Sequence, residues 1–111
     1  MVTRPRGSVL AELDAAQKEL IRTELERVLG SRQFVRSERH ARFLRFVCES
    51  TLNGEGGQLN EYLIAHRVFD RVDGYSPGED SVVRRQAYSL RQKLQEYYAG
   101  EGAADTVRIE L

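Results

Sequence analysis

The sequence of 111 residues has few of the residue types on which disulfide-rich domains, metal sites and many enzymes depend. It contains one cysteine, two histidines, two prolines and no tryptophan. The single cysteine, Cys48, excludes an internal disulfide framework and a multi-cysteine metal site, and it favours a reducing compartment. No apolar run is long enough to span a membrane, and the N-terminal residues lack the uncharged apolar core of a signal peptide. We therefore expect a single cytoplasmic domain with no membrane segment in this stretch of chain.

The residues that carry most enzyme chemistry are too sparse for a catalytic site. His40, Cys48 and His66 are not spaced as zinc ligands. The glycine-rich residues 54–57 are followed neither by Lys-Ser nor by Lys-Thr, and no strand pattern precedes them, which excludes a phosphate-binding loop. We expect no enzyme, no metal and no cofactor. A small enzyme is therefore less favoured than a DNA-binding domain or a protein–protein interaction module, the two hypotheses considered below.

An excess of charge of one sign is also absent, because 17 basic side chains balance 17 acidic ones. This balance excludes a uniformly basic arm that coats nucleic acid and an acidic solvating tail. The charge is nevertheless unevenly distributed along the chain. Basic block 1 (residues 32–45) has five arginines against one glutamate, and basic block 2 (residues 81–95) has four basic side chains and no acidic one.

Clusters of glycine separate segments with helical periodicity. Apolar residues at helical spacing predict four helices, at about 9–29, 37–52, 60–70 and 81–98. The predicted N-caps of the last three are Ser37, Asn60 and Asp80. In the first helix, Gln17 and Glu24 interrupt the apolar stripe. Residues 106–111 alternate with period two, which predicts a strand, so we expect a mainly α fold with a small β element.

The predicted helix 81–98 has two contrasting faces. The stripe that must face a core consists of Val83, Ala87, Leu90, Leu94 and Tyr97. The opposite face presents Ser81, Arg84, Arg85, Tyr88, Gln92 and Gln95. A solvated helix usually mixes both signs of charge because i,i+4 ion pairs support it, whereas this face has no acid. Such a face suits nucleic acid, since arginine pairs with guanine, glutamine with adenine, and both hold phosphates; a solvated face that merely lacks acids is the alternative.

Basic block 1 is open to more than one interpretation. Its sequence predicts two i,i+4 ion pairs, each worth about 0.3 kcal/mol. These pairs are Glu38–Arg42 and Arg45–Glu49. The remaining arginines are candidate contacts for backbone phosphates or for an acidic partner, namely Arg32, Arg36 and Arg39.

Several stretches of the sequence are similar to winged helix-turn-helix effector domains of the OmpR/PhoB type. Residues 43–47 (Phe-Leu-Arg-Phe-Val) and 63–69 (Leu-Ile-Ala-His-Arg-Val-Phe) resemble the first two helices of those domains. Residues 81–94, which end in Leu-Arg-Gln-Lys-Leu, resemble their recognition helix. Residues 107–111 resemble the first strand of their wing.

Residues 30–111 resemble most closely the N-terminal winged-helix modules of bacterial multidomain proteins. Those proteins carry tetratricopeptide-repeat, TolB-like or cyclase regions downstream, so the resemblance implies fusion to such effector domains. The shared pattern includes Glu61-Tyr62 and the Tyr-Tyr-Ala-Gly-Glu-Gly at residues 97–102. The resemblance covers about three quarters of the chain.

The resemblance implies a winged helix-turn-helix domain at residues 31–111, with a three-helix core. This domain would bind double-stranded DNA and regulate transcription, with helix 81–98 in the major groove. OmpR/PhoB domains begin with a small antiparallel sheet, whereas here we expect residues 1–30 to form an extra N-terminal helix, as a packing or homodimerisation element. The second strand of the wing would lie beyond Leu111, so the wing is expected to be truncated.

The candidate DNA-binding residues are Arg84, Arg85, Tyr88, Ser89, Arg91, Gln92, Lys93 and Arg108. Recognition helices of the family usually have basic residues at the positions of Tyr88 and Ser89. That departure and the neutral net charge favour the alternative, a winged-helix protein–protein interaction module in which Tyr88 and Tyr98 are interface anchors.

Overall fold

The computed structural model describes residues 2–5, 14–72 and 74–111, and for residues 2–5 it describes the backbone. Most of these residues are helical, which confirms the expected mainly α fold. The elements are β1 (Val2–Pro5), α1 (Ala15–Leu29), α2 (Glu38–Leu52), α3 (Glu61–Phe69), α4 (Val82–Ala99) and β2 (Val107–Glu110), with one 3-10 turn at Gly56–Gln58.

Helix α1 begins later than its sequence pattern predicts. Asp14 has an extended backbone (ψ 174°) and is the N-cap, with its carboxylate accepting from the Gln17 amide at 2.7 Å. The Gln17 side chain accepts in turn from the Asp14 amide at 2.9 Å, which completes a capping box. The prediction that residue 14 is helical is therefore wrong. Residues 9–13 of the predicted helix lie outside the described residues.

The predicted N-caps of the later helices have three different outcomes. Asn60 caps α3 as predicted, accepting from the Leu63 amide at 2.9 Å. Ser37 lies at the N-cap of α2, but its hydroxyl bonds to a histidine side chain rather than to a helix amide. The N-cap of α4 is Ser81, so the prediction of Asp80 is wrong by one residue. Asp80 still binds the start of the helix, because its carboxylate accepts from the amide of Val82, the first residue of α4, at 3.0 Å.

All four helices contribute to one apolar core. Leu25 and Val28 of α1 pack in the same cluster as residues of α2, α3 and α4. Phe43 of α2 and Phe69 of α3 meet edge to face, with ring centroids 5.3 Å apart. The predicted inner stripe of α4 is confirmed, because its five residues are all buried: Val83, Ala87, Leu90, Leu94 and Tyr97. Helix α1 is therefore packed onto the helices that follow it.

The two strands form an antiparallel sheet in which Val2 lies opposite Glu110 and Pro5 opposite Val107. The expectation that the chain begins with a helix is wrong, because residues 2–5 are a strand. Strand β2 is confirmed, and its backbone groups find their partner in this N-terminal segment. Proline is tolerated there because Pro5 stands at the end of its strand.

A tight turn at residues 100–105 brings β2 back beside α4. The Gly102 amide donates to the Tyr97 carbonyl at 2.7 Å. A Cβ atom at Gly102 would overlap the Tyr97 ring, so this close approach requires glycine. The turn therefore fixes where β2, and Arg108 on it, lie relative to α4.

Candidate nucleic-acid interface

The side of α4 away from the core is broadly exposed. We call it the α4 outer face and define it by Arg84, Arg85, Tyr88, Arg91, Gln92 and Gln95, all of which are exposed. The Tyr88 side chain is a large aromatic with 66% of its surface exposed. Apart from Ser81, which is half-buried, the face that the sequence predicts to be solvent-facing is solvent-facing.

Arg84 is the one cation of the α4 outer face that forms an ion pair with a described residue. Its Nη1 donates to Glu61 Oε1 of α3 at 2.7 Å, and its Nη2 donates to the Pro77 carbonyl at 2.6 Å. The outer face has no acid of its own, but α3 supplies one. Arg84 is therefore paired within the fold, and its role as a DNA contact stays a prediction.

The other two arginines of the α4 outer face, Arg85 and Arg91, have no ion-pair partner within residues 14–72 and 74–111. Arg85 Nε donates to the Ser81 hydroxyl at 3.0 Å, one turn earlier in the chain. Arg91, Gln92 and the Tyr88 hydroxyl make no hydrogen bond to the described part of the chain. Two arginines, an amide and a phenol are therefore available to an outside partner.

Ser89 and Lys93 are half-buried and bond within the protein. The Ser89 hydroxyl bonds His40 Nε2 at 2.9 Å, while Ser37 bonds His40 Nδ1 at 2.9 Å. Lys93 Nζ donates to the Gln33 carbonyl at 3.1 Å. Both side chains therefore join the segment 31–40 to α4, and their roles as DNA contacts stay predictions.

His40 lies between two helices rather than in the core. Burial lowers the pKa of His40, and the nearby charges of Lys93 and Arg39 lower it further. A lowered pKa favours the neutral ring, whose two nitrogens bond the Ser37 and Ser89 hydroxyls.

Two arginines of basic block 1 are paired, although not entirely as predicted. The predicted contact between Arg45 and Glu49 is present at 3.5 Å, but Arg45 bonds Glu26 of α1 more closely, at 2.7 Å. Arg42 pairs with Asp70, at the end of α3, at 3.2 Å. The prediction of a Glu38–Arg42 pair is wrong, because packing brings a carboxylate from another helix within reach of Arg42.

The other three arginines of basic block 1 are exposed, and their side chains have no acidic partner among the described residues. They are Arg32, Arg36 and Arg39. The bonds of His40 to Ser89 and of Lys93 to Gln33 hold their segment along one edge of α4. One carboxylate lies nearby, since Glu101 accepts from the Arg32 backbone amide at 3.2 Å.

Arg108 lies on the opposite edge of α4, on strand β2. Its guanidinium carbon is 4.8 Å from the centre of the Tyr98 ring, a cation–π contact that fixes the side chain. Arg108 and Arg91 line the same open groove of about 480 Å³ between α4 and β2. The buried Nε of Arg108 makes no hydrogen bond to the described residues.

A buried polar cluster behind α4 holds this edge in place. Glu24 is only 2% exposed, and it accepts from the Tyr98 hydroxyl at 2.8 Å. The Tyr98 hydroxyl also accepts from the Ile109 amide of β2 at 2.8 Å, and the Tyr97 hydroxyl donates to Asp105 at 2.6 Å. Glu24 therefore joins α1, α4 and β2. One sign of this cluster is visible in the sequence, where Glu24 interrupts the apolar stripe of the first predicted helix.

The protonation of this cluster is unequal. Burial, together with the hydrogen bond to Asp105, raises the pKa of Glu24 to about 7 against the weaker opposing effect of the Tyr98 hydrogen bond. Burial alone would raise the pKa of Asp105, but hydrogen bonds from Tyr97 and Glu24 and the charge of Arg27 bring it below its ordinary value. Asp105 is therefore the charged partner, and Glu24 holds a proton up to near neutral pH.

The described residues offer no metal site, since no three histidine, cysteine or acidic side chains among them are placed to hold an ion. None of the helices in the described ranges is both long and apolar enough to cross a bilayer. Comparison with protein-family models, with curated proteins and with solved structures gives no match for this chain.

Proposed function

We propose that the chain is a winged helix-turn-helix domain of a cytoplasmic transcriptional regulator, and that it binds double-stranded DNA through α4. The order of elements supports this plan: a short helix α3, a connecting loop, a longer helix α4 with an exposed face, and a strand after a tight turn. In this plan α3 crosses the DNA backbone and α4 enters the major groove.

The observation that carries the proposal is the α4 outer face. Arg85 and Arg91 are exposed there without an acidic partner among the described residues, on the same face as Tyr88 and Gln92. Arginine donates two parallel hydrogen bonds to guanine, and glutamine pairs with adenine. The outer face therefore has the donors and acceptors that base edges require.

The two edges of α4 suit the DNA backbone. Arg32, Arg36 and Arg39 flank one edge, and Arg108 flanks the other, beside Arg91. Phosphate contacts of this kind fix the orientation of a protein on the duplex without reading its sequence. Both flanking groups therefore act as positioning contacts in the proposed complex.

The neutral net charge limits how tightly one copy binds. Non-specific affinity for DNA is typically about 10⁻⁴–10⁻⁶ M at physiological salt. Higher affinity requires a second binding site on the same DNA, through homodimerisation by the N-terminal part of the chain or through tethering by fused domains.

The experiment compares two double variants with the wild type in binding to labelled genomic duplexes at about 50 to 200 mM salt. Arg85→Ala/Arg91→Ala removes two cations from the α4 outer face. Its matched control, Arg22→Ala/Arg45→Ala, removes one exposed cation from α1 and one from α2, and each of them is paired with an acid. We expect the first variant to lose at least about tenfold in affinity for the duplexes that the wild type binds most tightly, because each arginine–base contact is worth about 1–3 kcal/mol.

The competing function is a protein–protein interaction module. It is favoured by two exposed aromatic side chains, Tyr88 at 66% and Tyr62 at 61%, and by the carboxylate of Glu61 beside Arg84. The prediction of Tyr98 as the second interface anchor is wrong, because Tyr98 is buried and bonds Glu24. Binding that is absent or independent of salt, or equal in the two double variants, would contradict the DNA proposal and favour this one.

A further inference from the structure

Arg84 differs from the other arginines of the α4 outer face in being held at two points. Glu61 and the Pro77 carbonyl accept from its two terminal nitrogens at 2.7 and 2.6 Å. The Arg84 side chain nevertheless keeps 54% of its surface exposed, whereas the Glu61 side chain keeps 25%. Two hydrogen bonds therefore fix the guanidinium, while about half of the side-chain surface remains accessible to solvent.

We propose that Glu61 is a specificity-determining residue: it fixes Arg84 so that this side chain donates to a base edge instead of a backbone phosphate. The proposal rests on the DNA-binding function proposed above. It assigns to a residue of α3 the orientation of a contact made by α4.

Charge and geometry both support this role. The Glu61 carboxylate neutralises Arg84, so Arg84 adds little to attraction for phosphates, which depends on net positive charge. A guanidinium has five N–H donors, of which the Glu61 and Pro77 contacts use two. The remaining three are held in a fixed orientation, which reduces the entropy lost when they bind.

The position of Arg84 along α4 suits contact with bases. It lies in the first turn, since α4 begins at Val82. Residues at the N-terminal end of a recognition helix are those that reach base edges in helix-turn-helix complexes. Arg85 lies beside it in the same turn, without an acidic partner among the described residues.

The experiment compares Glu61→Gln with a variant of equal charge, Glu96→Gln. Glu96 is exposed on α4, and it pairs with no cation among the described residues. Both substitutions raise the net charge by one, but only the first releases Arg84. Each protein is measured for the salt dependence of binding to random-sequence duplex, and for base preference by selection from a random duplex library. Thermal unfolding checks that both variants remain folded.

We expect Glu61→Gln to steepen the salt slope by about 0.9, because the released Arg84 gains a phosphate contact. We expect the same variant to lose about tenfold preference at one base pair. Glu96→Gln changes neither quantity. In the background Arg84→Ala, Glu61→Gln no longer has an effect beyond that of Glu96→Gln.

Two different failures are distinguishable. If the wild type binds duplex DNA with salt dependence, but Glu61→Gln and Glu96→Gln agree in slope and base preference, Glu61 is a structural residue and the inference is overturned. If the wild type shows no salt-dependent binding to any duplex, the DNA-binding function itself fails, and this inference fails with it.

Discussion

On its inner face, α4 has two tyrosine hydroxyls, and both have partners: Tyr98 bonds Glu24 and the Ile109 amide, and Tyr97 bonds Asp105. On its outer face, Arg91 and Gln92 have no hydrogen-bond partner within residues 14–72 and 74–111. Buried polar groups must be satisfied inside the fold because their desolvation is costly, whereas exposed groups are solvated by water until a ligand replaces it. The inner face is therefore organised for stability, whereas the outer face leaves polar groups exposed for the proposed binding.

The largest expected effect is the difference in unfolding free energy between substitutions at two nearby positions of α4, one on each face. Leu90 is fully buried, so Leu90→Ala should lower the free energy of unfolding by about 2–5 kcal/mol through lost burial and a cavity. Tyr88 is on the outer face, so Tyr88→Ala should change it by no more than about 0.5 kcal/mol. Urea unfolding followed by circular dichroism measures both. Equal losses would show that the outer face is also a packing surface.

The next largest effect concerns the pH dependence of the inner face. The pKa of Glu24 is about 7 in the fold against an ordinary value of 4.5. Between these values the folded chain holds a proton that the unfolded chain releases, so stability falls as pH rises through this window, by about 3 kcal/mol in all. Glu24→Gln keeps a neutral hydrogen-bonding side chain, and its stability should lose this component of the pH dependence.

The measurement is the difference in unfolding free energy between wild type and Glu24→Gln from pH 4.5 to 7. The difference is needed because His40 acts in the opposite direction: its lowered pKa makes stability fall as pH drops below about 6.5. Glu96→Gln is the control, since Glu96 is exposed. A difference that does not vary with pH would show that Glu24 is charged in the fold.

Local features of this fold could be predicted from the sequence, because they depend on neighbours along the chain. The periodic burial of α4 from Val83 to Tyr97 and the Asn60 cap of α3 follow from spacing alone. The starting residue of α1 could not be predicted, because the capping box of Asp14 and Gln17 competes with an apolar pattern that extends further toward the N-terminus.

Contacts between elements could not be predicted, because they depend on packing. The pairing of Arg84 with Glu61 and of Arg42 with Asp70 joins residues that are far apart in the sequence. Counting charges within basic blocks 1 and 2 therefore overestimates how many of their arginines are unpaired in the fold. The exposed position of Arg85 was identified correctly, because helical periodicity places it opposite the core.

The smallest expected effect lies at the border between the two faces. Ser89 is half-buried and bonds His40, so Ser89→Ala removes one hydrogen bond and leaves a ring nitrogen without its partner. We expect a loss of about 1 kcal/mol in the free energy of unfolding. Gln92→Ala is the matched control on the same helix, and it should change stability by no more than about 0.5 kcal/mol.

The same variant tests whether the border residue positions basic block 1. The His40–Ser89 bond is one of two side-chain bonds that hold residues 33–40 along α4, the other being Lys93 to the Gln33 carbonyl. If Arg36 and Arg39 contact phosphates, loosening this segment should weaken duplex binding about twofold to threefold, with the base preference unchanged, because phosphate contacts carry no sequence information. A changed base preference in Ser89→Ala would instead place Ser89 among the groups that read the bases, and the boundary between the two faces of α4 would then lie one residue further toward the core.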